Sequence, residues 1–399
     1  MKERVKQQSQ LSTIKNQITH LPTVRSRDVT RGGLKLLQAG DDNLLPLTIS
    51  KIAQGSSTLR SIINSQSDFV SGAEIIVSDK FKKRLDNLNK KYDFKTFLKR
   101  VCTDRRTLGY AYIKELRKGK DVVVYHIDAS SVRKMKNGNI AISKDWEKIY
   151  KTENRPVEYS VYPNYQEEEN GWLCRVIPIE NYELGNYDYT LPIWSGAFYD
   201  AQVESLIGQY NLNTFENGIM LSAILSMDFG DVTSPEELKE KKRKFERDIK
   251  GTSNGRGGKT IVHAKSSEVE MPEYVKFPME KDGSFIKLKQ SIENTIVTSM
   301  QWFRSLSGLE TAGALGNNQQ MRNEWEMAEK VISNEQKTIV SSLMKCFEKT
   351  EYINEVIEFQ NVAPISMLND VNIVDLVANG VITSDELKTM LKKHLNFDN

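Results

Sequence analysis

Histidine and cysteine are scarce in this chain: four histidines (His20, His126, His263, His394) and three cysteines (Cys102, Cys174, Cys346) in 399 residues. No histidine has another His or Cys at ligand spacing, which argues against a zinc site. Three widely separated cysteines do not make a disulfide framework and point to synthesis in a reducing cytoplasm. Neither a G-x-S-x-G elbow nor an H-E-x-x-H pair is present, so two common hydrolytic devices are missing. No apolar run approaches the ~18–20 residues of a spanning helix. The first thirty residues are polar and basic, so no secretory signal is expected. A large excess of positive charge is also lacking. The 56 Lys and Arg face 53 Asp and Glu, leaving +3, whereas proteins that grip DNA by counterion release are usually strongly basic. If the chain handles nucleic acid, it does so with local patches or only lets the nucleic acid pass. What is there is ordinary for a soluble chain with a core: 39% hydrophobic and 27% charged residues, with a mean hydropathy of −0.51. The length allows two or three domains or one large mixed fold.

Residues 1–40 read as a weakly basic mobile arm. Order begins near Asp41. Leu47, Ile49, Ile52 and Ala53 have partial helical spacing, and Ser57 can cap a helix carrying Leu59, Ile62, Ile63, Phe69 and Val70 that stops at Gly72. A short strand at Glu74–Val77 and a helix with Phe94, Phe97, Leu98, Val101 and Leu108 follow. The period then changes to two. Strands at Tyr110–Ile113 and Val122–His126, an Asn137-Gly138 turn between Val132–Met135 and Ile140–Ile142, and alternation at Val157–Val161 and Trp172–Val176 make a block of hairpins. The turn predicts a two-residue loop.

A long helix with Phe198, Tyr199, Val203, Leu206, Ile207, Tyr210 and Phe215 comes next. After an apolar run from Ile219 to Phe229, Ser234-Pro235-Glu236-Glu237 supplies a capping signature for a basic helix. Its acidic residues answer many of its basic ones, so a solvated face is the ordinary reading. A glycine-rich stretch at 251–259 leads into a strand at Thr260–Ala264. A helix runs from Ser284 through Phe303, and the glycine-bearing stretch 306–316 separates it from a last long helix with Trp325, Ala328, Ile332, Ile339, Leu343 and Phe347. A strand near Val356–Phe359 and a helix opened by Thr383-Ser384-Asp385-Glu386 close the chain.

Ser253–Thr260 nearly matches the phosphate loop G-x-x-x-x-G-K-[ST], with Ser253 in place of the first glycine. Such a loop must leave a strand and open a helix whose N-terminus faces the phosphates. Here the order is reversed, so a cationic loop tip is the better reading. A nucleotide-dependent enzyme built on Ser253–Thr260 is the alternative from a different class.

Three passages resemble the portal (connector) proteins of tailed bacteriophages. They are Tyr189–Ala197 with the helix running to Asn217-Gly218; the Ser-Pro-Glu-Glu helix with the Asn254–Lys259 loop and its strand; and Thr311–Asn318 leading into a helix with Asn334-Glu335-Gln336. The closing Asn379–Glu386 is similar too. The resemblance spans about 190–390 and implies an α+β subunit with an α/β wing, two stem helices, an α/β clip, a long channel helix and a small crown. Such subunits assemble in a cyclic ring, typically of twelve. By order, 41–195 would be the wing, 196–221 the first stem helix, 222–283 the clip, 284–305 the second stem helix, 306–317 the tunnel loop, 318–350 a channel or wing helix and 351–399 the crown.

The implied function is passage of double-stranded DNA at one capsid vertex during packaging and ejection, without catalysis or cofactor. The implied partners are the terminase motor, the head–tail adaptor, the major capsid and scaffold proteins, and DNA, with no membrane. The protein would be made in the host cytoplasm and reside in the virion. The implied tunnel-loop residues are Gly308, Leu309, Glu310, Thr311, Gly313, Leu315 and Gly316. The implied docking residues of the clip are Lys241, Lys242, Arg243, Lys244, Arg247, Arg256 and Lys259. Another head–tail structural protein of the virion is the remaining alternative.

Overall fold

The computed structural model describes residues 26–182, 184–185, 188–217, 223–228, 240, 260–265, 273–276, 283–309, 318–360, 383, 385–386 and 388. Of the arm expected over 1–40, residues 1–25 lie outside the described residues, but order begins well before Asp41. Residues 28–37 form a hairpin, and Leu36 is fully buried against Met135, Ala141 and Trp146, apolar partners far along the chain that no local pattern announces. The basic helix apart from Glu240, and the glycine-rich stretch before Thr260, also lie outside the described residues. The chain divides into two compact units. One comprises Met1–Gln54, Thr58–Gly196 and Val297–Asn399, the other Gly55–Ser57 and Ala197–Ile296.

The first unit opens with a hairpin, β1 (Asp28–Arg31) and β2 (Leu34–Leu37), and continues with α1 (Leu45–Gly55), α2 (Ser57–Gly72), β3 (Glu74–Ile76), α3 (Asp79–Asp86) and α4 (Phe94–Leu108). Its strands are β4 (Tyr110–Lys118), β5 (Asp121–Ile127), β6 (Val132–Lys134), β7 (Ile140–Ile142), β8 (Val157–Tyr159), β9 (Gln166–Glu167) and β10 (Leu173–Glu180). The second unit follows, with α5 (Phe198–Asn217), β11 (Ala223–Asp228), β12 (Thr260–Lys265), β13 (Glu273–Lys276) and α6 (Gly283–Ser299), the last three residues of which already belong to the first unit. The first unit is completed by α7 (Asn318–Met344) and β14 (Glu358–Gln360). Among the described residues no helix is long and apolar enough to cross a membrane.

The central sheet of the first unit has the order β5-β4-β10-β9, with all neighbouring strands antiparallel. β4 is buried along nearly its whole length, and Ala111, Tyr112 and Ile113 are inaccessible. α4 packs on β4 and β5, and α7 packs on β10. The α4 stripe expected from sequence is the buried one: Phe94, Phe97, Leu98, Val101 and Leu108. Each such side chain contributes roughly 1.5–3 kcal/mol when fully buried. Asp93 caps the helix by accepting the Thr96 N–H at 2.8 Å. Gly109 ends it at φ +89°, and a Cβ there would lie 2.5 Å from the Leu191 carbonyl oxygen, so only glycine fits.

Three local expectations need correction. Asn137-Gly138 does form a hairpin between β6 and β7, but the loop has three residues. Met135 donates to the Asn139 carbonyl at 2.9 Å, Gly138 donates to the Met135 carbonyl at 3.1 Å, and Gly138 sits at φ +84°. That is a type I turn closed by a left-handed glycine. Helix α3 was not anticipated. It is two turns long, capped by Ser78, and buries only Phe81 and Leu85, too few positions to display a period. The helix expected to reach Phe303 ends at Ser299. Gln301 turns left-handed at φ +50°, its N–H bonds to the Thr298 carbonyl at 3.1 Å, and the Trp302 N–H bonds to the Val297 carbonyl at 3.2 Å. This is a Schellman closure with glutamine where glycine usually stands.

All three cysteines are free and buried. Burial pushes the thiols of Cys102 and Cys174 up to about 12 and that of Cys346 well above its ordinary value. Thiolate is the reactive species. The folded protein should therefore give no fast phase with a disulfide reagent at pH 8, and three equivalents should react on denaturation.

Candidate functional site

Of the residues expected in a tunnel loop, Gly308 and Leu309 are described. Glu310, Thr311, Gly313, Leu315 and Gly316 lie outside the described residues, as do Lys241, Lys242, Arg243, Lys244, Arg247, Arg256 and Lys259 of the expected docking surface. What the structure does describe is the framework on which both stretches are mounted.

The root of the 306–317 stretch is fastened to α2. Beyond the Gln301 turn, the Trp302 indole packs on Phe69 at a ring separation of 5.7 Å and donates to the Ser65 hydroxyl at 3.3 Å. A 3₁₀ turn, Ser305–Ser307, follows. Its Leu306 and Ser307 carbonyls accept from the hydroxyls of Ser65 and Ser61, both at 2.6 Å. Gln66, next to Ser65 in α2, donates to the Met300 carbonyl at 3.2 Å. Gly308 closes the turn at φ +68° and Leu309 N–H returns to the Arg304 carbonyl at 3.2 Å. A polar stripe on α2 (Ser61, Ser65, Gln66) thus satisfies carbonyls that no regular element could satisfy. The stretch beyond Leu309 leaves from a fixed point.

On the far side of that stretch, α7 is held by buried charge. Glu335 accepts from Arg105 Nε at 2.5 Å and lies 3.2 Å from Arg106 Nη2, all three side chains being nearly inaccessible. Burial works to raise the Glu335 carboxyl, but the Arg106 and Arg105 guanidiniums outweigh it and hold it below its ordinary value. Nearer its end, α7 runs into the 3₁₀ turn Lys345–Phe347. There Arg175 Nη2 donates to the Lys345 carbonyl at 2.7 Å and Arg117 Nη2 to the Cys346 carbonyl at 2.6 Å. Both guanidiniums are bonded to Glu115, which is 0% exposed: Arg175 Nε at 2.6 Å and Arg117 Nε at 2.8 Å. Cations at the carbonyl end of a helix complement its dipole and satisfy acceptors that otherwise have no partner.

In the second unit, Glu204 of α5 is buried and accepts from the Ser57 hydroxyl at 2.6 Å and from that of Ser56. Its sheet has the order β12-β11-β13, with β12 parallel and β13 antiparallel to β11. A parallel pair requires a crossover, which the chain between Asp228 and Thr260 must supply. Thr260 opens strand β12. The near-match to a phosphate loop therefore ends at a strand, where no helix N-terminus is available to an anion. Among the described residues no group of three or more His, Cys, Asp or Glu could hold a metal ion.

No protein-family model and no curated protein matches the sequence. Solved structures do. A chain in the neck of a native GTA particle, computed with C12 symmetry, superposes at a TM-score of 0.57 with 11% identity, covering 92% of this chain and 95% of that one. A chain in the virion of a native gene transfer agent particle gives 0.55 with 10% identity over 87% and 92%. A HK97-family phage portal protein from Corynebacterium diphtheriae gives 0.48 with 10% identity over 80% and 96%. The mixed helix-and-sheet fold is shared with the chains of the two gene transfer agent particles.

The anchoring residues Arg105, Arg106, Glu115, Arg117, Arg175 and Glu335 were missed in the sequence. Their one visible signal is in β4, where Glu115 and Arg117 are two apart and so share a face with Ile113. The partner, Arg175, stands directly opposite Glu115 only once the β4–β10 register is known.

Proposed function

We propose that the chain is a portal subunit. Copies close into a ring, twelve in number, at one capsid vertex, and double-stranded DNA passes through the ring during packaging and ejection. The observation that carries the proposal is the fold shared over 92% of this chain with a chain of a particle neck computed with C12 symmetry. It occurs in a sequence whose Tyr189–Ala197, Asn254–Lys259 and Thr311–Asn318 passages fall in portal order. In this assignment the elements up to β10 are wing, α5 and α6 are stem helices, β11–β13 belong to the clip, 306–317 is the tunnel loop and α7 lines the channel. The clip, through Lys241, Lys242, Arg243, Lys244, Arg247, Arg256 and Lys259, docks the terminase motor and later the head–tail adaptor.

Physical chemistry supports the assignment in two ways. Apolar side chains stand exposed on the helices that would meet a neighbour: Tyr199 and Val203 on α5, Leu288 on α6, Met321 and Met327 on α7. Closed cyclic assembly would cover them. A conduit must also let phosphates slide, and Glu310 is the one charged residue of 306–317.

Because Ser61 and Ser65 hold the root of the loop at Leu306 and Ser307, deleting Thr311–Leu315 should leave the melting temperature and ring formation intact. The deletion should reduce the DNA retained in assembled heads. A collapsed melting temperature with unassembled subunits would make the stretch a structural connector and remove it from the channel.

A further inference from the structure

The central sheet presents unlike charge at its two edges. Beyond the β5 edge, α1, α2 and α4 enclose a cleft of ≈ 890 Å³ lined by Lys51, Arg60, Arg100, Asp104, His126 and Asp128, among others. Its acids are already engaged. The Asp104 carboxylate is 2.7 Å from His126 Nε2 and accepts the Ala129 N–H at 2.9 Å, while Asp128 accepts the N–H and hydroxyl of Ser130 at 2.9 and 2.7 Å. Its cations are held only weakly. Arg60 is exposed and has no hydrogen bond or ion pair among the described residues, Arg100 only stacks on the Tyr92 ring at 4.5 Å, and Lys51 makes an exposed 3.5 Å pair with Glu147. Exposed pairs of that kind contribute little and exchange readily. The cleft is therefore built to receive carboxylates.

At the opposite edge, β9 and β10 are joined by the turn Glu167-Glu168-Glu169-Asn170-Gly171. Glu168 faces Lys114 at 3.6 Å, but Glu167 and Glu169 are exposed and unpaired among the described residues. Three strand spacings, ~14 Å in all, separate the two edges of the sheet. A ring of more than two copies needs two different, non-overlapping surfaces on each chain, because its contacts run head to tail. The two edges supply such a pair with complementary charge.

We propose that the Glu167–Glu169 turn of one copy seats in the Lys51/Arg60/Arg100 cleft of the next, so that each subunit contact of the wing is a carboxylate–guanidinium contact. The proposal rests on the ring reading above. It commits to a second copy because the complementary charge is carried by this same chain.

The test compares the concentration of half-assembly, by sedimentation and native mass at low salt, for four chains of checked melting temperature. Arg60→Glu/Arg100→Glu and Glu167→Lys/Glu169→Lys should each raise it at least about tenfold, as desolvated charge pairs at interfaces do. The chain carrying all four changes, in which each contact is reversed as a whole, should return close to the wild-type value. Should a reversal lower the melting temperature, the milder Arg60→Gln and Glu169→Gln still decide the matter. Their effects should be non-additive, as for residues in contact. Wild-type rings indifferent to either reversal, or a fourfold variant no better than its halves, would overturn the contact and leave the ring standing. A wild-type chain that never assembles would instead overturn the ring.

Discussion

Glu115→Ala should cost the first unit about 3–5 kcal/mol, the usual penalty for removing one partner of a buried ionic group. Domains of this kind are stable by only about 5–15 kcal/mol, so the variant should unfold at far lower denaturant or not accumulate at all. The reason is geometric. Arg117 and Arg175 are 3% and 2% exposed, and each is also committed to a carbonyl at the end of α7. Without Glu115, Arg117 loses its carboxylate partner in the core and Arg175 keeps only the partly exposed Glu348, at 3.8 Å. Replacing all three by apolar residues of similar volume should be far milder than the single change. Denaturant unfolding of both variants checks this. A loss below about 1 kcal/mol for Glu115→Ala would mean that the cluster is effectively solvated.

Glu335 should give the next largest effect, and one that depends on pH. Its carboxyl is held below the ordinary value by Arg106 and Arg105 in the folded protein. A depressed carboxyl contributes stability that is fully present above the unfolded value, 4.5, and is lost as the pH falls through the folded one. Glu335→Gln should therefore destabilise the protein at pH 7, by about 3–5 kcal/mol if both guanidiniums are left uncompensated. It should also flatten the acid limb of the stability–pH curve below 4.5. Unfolding free energies at pH 7 and at stepped values down to 3 would show it. Parallel curves for the two proteins would mean that Glu335 does not titrate as this geometry requires.

The sequence announced the helices of this fold better than it announced what ties them together. The stripe in α4 and that in α7, where Ala328, Ile332, Ile339 and Leu343 are buried, repeat at helical spacing and could be read directly. So could the capping box near the C-terminus. Thr383 N–H reaches Glu386 Oε2 at 2.9 Å, and the Glu386 N–H returns to Thr383 Oγ1 at 3.3 Å. The end of α6 could not. Its left-handed residue is Gln301, and no local rule marks a glutamine as a stop. The Glu115 and Glu335 clusters were hidden for another reason: their members are brought together from 60 and 230 residues apart. A charged residue in a strand or helix looks solvated until its register is known.

The central claim, that copies of this chain form a closed ring around a channel, is tested most directly by negative-stain imaging of the purified full-length protein with native mass on the same sample. The expected result is a ring of uniform subunit number, twelve, with a central hole wide enough for duplex DNA. A chain that stays monomeric at micromolar concentration with its helical content intact would contradict it.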